Sequence, residues 1–144
     1  MERLIRPMEA RDLEVSLALW QNVEGIVLRV ESDNLDALTR FLARNPGTSF
    51  VADRDGALIG NILCGHDGRR GYLYHLAVVP EHRHTRCATA LLKASLGALA
   101  RQNITRCHAF TLARHMTSLA FWEKVNGELR PDLRVVTLTV DGGA

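Results

Sequence analysis

The stretch "HLAVVPEHRHTRCATALLKASLGALA", residues 75–100, decides the fold. It starts as an apolar run, stops at Val79-Pro80-Glu81, and passes through a turn with two histidines and two arginines. It then resumes with Ala88, Leu91, Leu92, Leu96 and Leu99 on one helical face, which predicts a helix over residues 85–101. A strand that hands over to a helix through such a turn puts positive side chains beside free N–H groups and the positive end of a helix dipole. That arrangement favours an anion. An ordinary solvated turn has the same composition, so the neighbouring segments must discriminate between the two.

Upstream, residues 49–79 contain three apolar runs separated by Asp55-Gly56 and Asp67-Gly68, the signal of a three-stranded antiparallel meander. Before the meander come a short strand in "RLIRPM" and a helix whose face is Leu13, Leu17, Trp20 and Val23. A second helix follows, with Leu35, Leu38, Phe41 and Leu42 on one face and Ser32 as the expected cap. Downstream, "TRCHAFTL" predicts a strand and "MTSLAFWEKV" a helix with Gly127 available as a left-handed cap. The β-branched run "LRVVTLTV", residues 133–140, is expected to close the sheet, with a short extra strand over 128–130. The order βααβββαβαβ defines an α/β fold: a mixed, mostly antiparallel sheet flanked by helices on both faces, in a single domain over residues 1–144.

The bulk properties exclude several classes. The chain has 144 residues, 47% hydrophobic and 24% charged, enough to bury a core without staples. A net charge of +2, with no basic run or stripe, argues against a nucleic-acid partner. The charged start "MERLIRPMEARD" is not a secretory signal, and no apolar stretch approaches the length of a membrane span. Cys64, Cys87 and Cys107 are odd in number and widely spaced, which argues for a reducing cytoplasm and against a disulfide framework. His82 and His84 form a His-x-His without further ligands at convincing spacing, so no metal is expected.

With "LAVVPEHRHTRCATALL" at its centre, the order of elements resembles the GNAT acyltransferase superfamily over nearly the whole chain. The family pattern is a strand ending apolar-x-Val-x-Pro-Glu, then Arg-x-x-Gly-x-Gly/Ala opening a helix. Leu76, Val78, Pro80, Glu81, Arg83 and Ala88 fill those places. The resemblance implies the fold, acetyl-CoA as co-substrate, and direct transfer to a primary amine of a small molecule or peptide. It implies pantetheine along the backbone of Leu76, Ala77 and Val78, and pyrophosphate at Arg83, His84, Thr85, Arg86, Cys87, Ala88 and Thr89. His115 and Trp122 fall where the family has an asparagine and a tyrosine, within "HMTSLAFWEKVNG". Both family glycines of the turn are replaced, by His84 and Arg86. A second reading is therefore a non-catalytic scaffold for protein association or weak acyl-CoA binding; either form is a monomer or homodimer.

His75 is the candidate general base, with cross-strand packing as its other reading. Simple alternation puts Tyr74 on the opposite face, available as a proton donor in place of the missing tyrosine, as is Tyr72; core packing is the other reading for both. Cys87, at a helix N-terminus, is expected to be a somewhat activated thiol. Trp20, Leu28 and Arg29 are the candidate acceptor contacts. If residue 86 becomes left-handed only on binding, a non-glycine there costs about 1–2 kcal/mol, or about 5- to 30-fold in affinity. Restoring glycine at 84 and 86 is then expected to tighten acetyl-CoA binding about 10-fold.

Overall fold

The computed structural model describes residues 3–141; residues 1–2 and 142–144 of the expected domain lie outside the described residues. Its elements are β1 (Leu4–Pro7), α1 (Leu13–Gln21), α2 (Leu35–Arg44), β2 (Phe50–Arg54), β3 (Ala57–His66) and β4 (Gly71–Val78). α3 (Cys87–Arg101), β5 (Cys107–Ala109) and α4 (Met116–Lys124) follow. The five strands lie in sequence order, antiparallel except for the parallel β4–β5 pair. The fold class and the order of elements through α4 are those the sequence predicts.

The two-residue link from β2 to β3 has Asp55 at φ 55° and Gly56 at φ 85°, the positive pair that matches a hairpin to the right-handed twist of its strands. On one face of the sheet α3 buries Leu91 and Leu99 against Ile62, Cys64 and Leu73. On the other, α1 and α2 bury Leu13, Trp20 and Leu38 against Val51, Leu63 and Ala77. Arg6 ties the start of the chain to this frame. Its guanidinium donates to both Asp12 oxygens at 2.8 and 2.9 Å and to Asp53 at 3.3 Å.

Three local expectations are corrected. α2 is capped by Asn34, whose side chain accepts from the Ala37 amide at 2.9 Å, not by Ser32. After α4 the left-handed residue is Asn126 at φ 67°, while Gly127 is needed for space: a Cβ there would meet the Trp122 carbonyl oxygen at 2.9 Å. The segments 128–130 and 133–140 form no strand; Val135, Val136, Leu138 and Val140 are 72–94% exposed and have no ladder partner among the described residues. The β-branched run has the propensity for a strand, but β5 is only three residues long and offers it little edge. Among the described residues no helix is long and apolar enough to cross a membrane.

Candidate active site

β4 carries the first decisive feature. Its ladder with β3 pairs His75 with Leu63 but Leu73 with Cys64, so Tyr74 is an extra residue in a bulge. The bulge breaks the alternation that the sequence implies. Tyr74 lies edge-on to Phe41 of α2 and His75 against Trp20 of α1, both on the α1/α2 face. The expectation that Tyr74 and His75 point to opposite faces is thereby corrected; both line one cleft of about 750 Å³.

The second feature is a gap. β5 pairs with β4 only at Gly71–Leu73, so from Tyr74 to Val78 the β5-facing edge of β4 has no strand partner among the described residues. The unpaired edge leads directly to the turn and the start of α3. There Arg86 is the N-cap residue, with no side-chain cap on the helix, and the amides of His84, Thr85 and Arg86 donate to no protein group among the described residues. Free backbone donors at an uncapped helix start, with Arg83 and Arg86 around them, fit a pyrophosphate. The open strand edge fits an extended arm carrying amide groups. The residues present therefore suit acetyl-CoA.

Every residue assigned above to this region lines the cleft except Thr85. The Thr85 carbonyl accepts from Arg3 at 3.0 Å, and its hydroxyl donates to the His82 carbonyl, which holds the turn from outside. Arg83 is anchored by its Nε on the Val78 carbonyl at 3.3 Å. His84 and Arg86 stand at φ 62° and 63°. Both positions where the family has glycine are thus left-handed. Cys87 is buried, and burial pushes its thiol up from the ordinary value, which corrects the expectation of an activated cysteine.

His75 is held by a residue that sequence reasoning missed. Its Nε2 lies 2.9 Å from Asp33 Oδ1, and the two side chains are only 12% and 9% exposed. Asp33 is fixed in turn by the Arg29 amide, which donates to Oδ2 at 2.8 Å. A carboxylate only accepts, so Nε2 carries the proton and Nδ1 is left with a lone pair. Trp20, whose ring is tilted against His75 at 4.8 Å, is fully buried and donates to Asn61 Oδ1 at 2.7 Å. Trp20, Leu28 and Arg29, the expected acceptor contacts, are not in the cleft lining, whereas residues 23–27 of the same segment are. Asp33 sits in an irregular loop with no periodic signal, and only a fold-level pairing of that loop with β4 would have found it.

Partial burial pushes the Tyr74 phenol up from its usual value, with Tyr72 beside it acting in the same direction, so it stays protonated. At the opposite wall, the His115 Nδ1 accepts from the Ser118 amide and caps α4, the task the family's asparagine side chain is equally fit to perform. Its ring closes on Gly25 (φ +89°), where a Cβ would stand 2.7 Å from it. Trp122 lines the cleft and packs edge-on against Phe121. Tyr72 is not in the lining, but it stacks with Tyr74 and Phe110.

These features define an acyltransferase fold with a cleft between two splayed strands. The sequence profile of the Acetyltransferase (GNAT) family matches residues 15–127, and the chain belongs to that family. It is 27% identical over 124 residues to an acetyltransferase of Pectobacterium atrosepticum, covering 86% of each chain. It is 34% identical over 88 residues to an acetyltransferase of Yersinia enterocolitica, covering 61% of each. Among solved structures, the PaiA N-acetyltransferase of Thermoplasma acidophilum in complex with coenzyme A superposes with a TM-score of 0.75 at 20% identity, over 87% of this chain and 89% of the other. AAC(6')-Iy in complex with a bisubstrate analogue superposes with a TM-score of 0.76 at 18% identity, over 98% and 99%.

Proposed function

We propose that the protein transfers an acetyl group from acetyl-CoA to a primary amine by direct attack, with His75 as general base and Tyr74 as general acid. The observation that carries this reading is the placement of Asp33–His75 and Tyr74 on the unpaired stretch of β4, which runs on to the uncapped start of α3. Acetyl-CoA supplies the thioester acyl group, and coenzyme A leaves as the thiol. His75 Nδ1 takes the proton the amine sheds as its nitrogen bonds the acyl carbon. Asp33 fixes the ring and steadies the charge it gains. The Tyr74 phenol gives its proton to the departing sulfur.

The second reading, a non-catalytic scaffold, is favoured by the side chains of His84 and Arg86 at the phosphate approach. Calorimetric titration with acetyl-CoA and with CoA decides between them. Binding in the micromolar range supports the enzyme, and no heat at millimolar ligand supports the scaffold.

A further inference from the structure

At the β5 end the cleft is lined by the rings of Tyr74 and Phe110, which are backed by Tyr72 and Phe41 outside the lining. Tyr72 stacks on Tyr74 at 6.2 Å and nearly parallel to Phe110 at 6.4 Å and 5°. Tyr74 and Phe110 stack at 6.1 Å, and Phe41 closes the row edge-on at 5.8 Å from Tyr74. α2 reaches this row because residue 65 has no side chain: a Cβ on Gly65 would stand 2.7 Å from Phe41 Cζ. The row is not sealed into the core. Tyr74 is 41% and Phe110 50% exposed, and both line the cleft beside His75.

The charged lining is sparse. Glu24 is its single acidic residue among the described residues, and its Arg and Lys cations are Arg83 and Arg86 at the α3 end and Lys124 of α4. A polycationic acceptor needs several carboxylates, which this lining lacks, and the rings of Tyr74 and Phe110 carry no charge to hold an acidic one. Planar rings held open to water offer stacking and a negative π-face to an ammonium carried close to a ring.

We infer that the acceptor is a small aryl-alkyl primary amine, whose ring stacks on the Tyr72–Tyr74–Phe110 shelf and whose nitrogen is thereby presented to His75. The inference rests on the acetyltransferase reading but is tested separately from it. Stacking of a flat group on a protein ring is worth about 1–3 kcal/mol, so an aryl amine should bind about 10-fold or more tightly than an alkyl amine of similar length.

The test is a proton NMR titration of the aromatic rings, on protein with and without saturating CoA, using 2-phenylethylamine, n-butylamine and spermidine as probes. The expected result is ring-current shifts on Tyr72, Tyr74 and Phe110 with 2-phenylethylamine, at a Kd about 10-fold below that for n-butylamine. Phe110→Ala, a change at a half-exposed position, should bring that ratio close to one. A parallel arm with the dipeptide Phe-Ala separates a free amine from a peptide N-terminus, and tighter binding of the dipeptide would overturn the small-amine assignment. Equal affinity for the alkyl and aryl amines, or preference for spermidine, overturns the proposal. So do nuclear Overhauser contacts between these rings and methyls of residues 135–140, which would make the shelf a seat for the chain's own end. Failure of CoA to bind overturns the enzymatic reading instead and leaves the shelf measurement standing.

Discussion

Under the proposed function, the two ends of the cleft recognise by different means. At the α3 end the working groups are backbone: free amides of residues 84–86, an uncapped helix start and the open edge of β4. At the β5 end they are side chains: a ring shelf and a histidine held by a buried carboxylate. Backbone recognition tolerates changed side chains as long as the path of the chain is kept, and residues 84 and 86 keep their left-handed path without glycine. Side-chain recognition has no such tolerance. Substitutions should therefore be costly at the Asp33–His75 end and mild at the turn.

The largest effect is expected at His75. With 2-phenylethylamine as acceptor, His75→Ala should lower turnover by about 10²–10⁴-fold and remove the acid limb of the pH–rate profile, while CoA affinity by calorimetry changes little. Full activity with an unaltered profile would return His75 to a packing role.

Asp33→Asn should act through His75 and be smaller, about 10-fold in kcat. Losing the carboxylate removes the acceptor that fixes the ring and steadies the charge it gains in the transfer. Asp33→Glu should recover part of the rate. A loss of rate that Asp33→Glu does not reduce at all would show that Asp33 only shapes the loop.

At the other end, Arg83→Ala should weaken CoA by about 5-fold, the size of one exposed charge contact, and the difference should shrink as salt rises. A loss as large as that at His75 would overturn the contrast between backbone and side-chain recognition.

The sequence discloses these two ends unequally, for a physical reason. The meander, the α3 boundaries and the basic turn are written in local periodicity and turn residues, and the helix predicted over 85–101 is observed at Cys87–Arg101. The bulge at Tyr74 inserts one residue into a ladder, and no change of composition marks it. It alone decides that Tyr74 and His75 share a wall. Asp33 and Phe41 come from loop and helix positions more than 30 residues upstream of His75, so their roles exist only once α1 and α2 are packed on the sheet. The run at 133–140 shows the opposite failure. Its β propensity is plain, but a strand also needs an edge to pair with.

The smallest change in affinity is expected where the sequence departs most from its family, at the paired variant His84→Gly, Arg86→Gly. Had these residues turned left-handed only on binding, glycine would have tightened acetyl-CoA about 10-fold. The turn puts both residues on a left-handed path. If the free and bound states share that path, the strain is a cost of folding and cancels in the affinity. What glycine removes on binding is side-chain crowding, offset by the lost charge of Arg86, and the two should leave Kd within about 3-fold of the parent. The strain should appear in stability instead. A left-handed non-glycine costs about 1–2 kcal/mol, from which the extra chain entropy of glycine takes back about 0.5–1 kcal/mol per site. The pair should therefore gain about 1–2 kcal/mol, a rise in Tm of about 3–6 °C for a chain of this size. Calorimetric Kd and thermal melts on the same samples separate the two outcomes. A 10-fold gain in affinity with no change in Tm would mean that the free turn is not held in this conformation and is reshaped by the ligand.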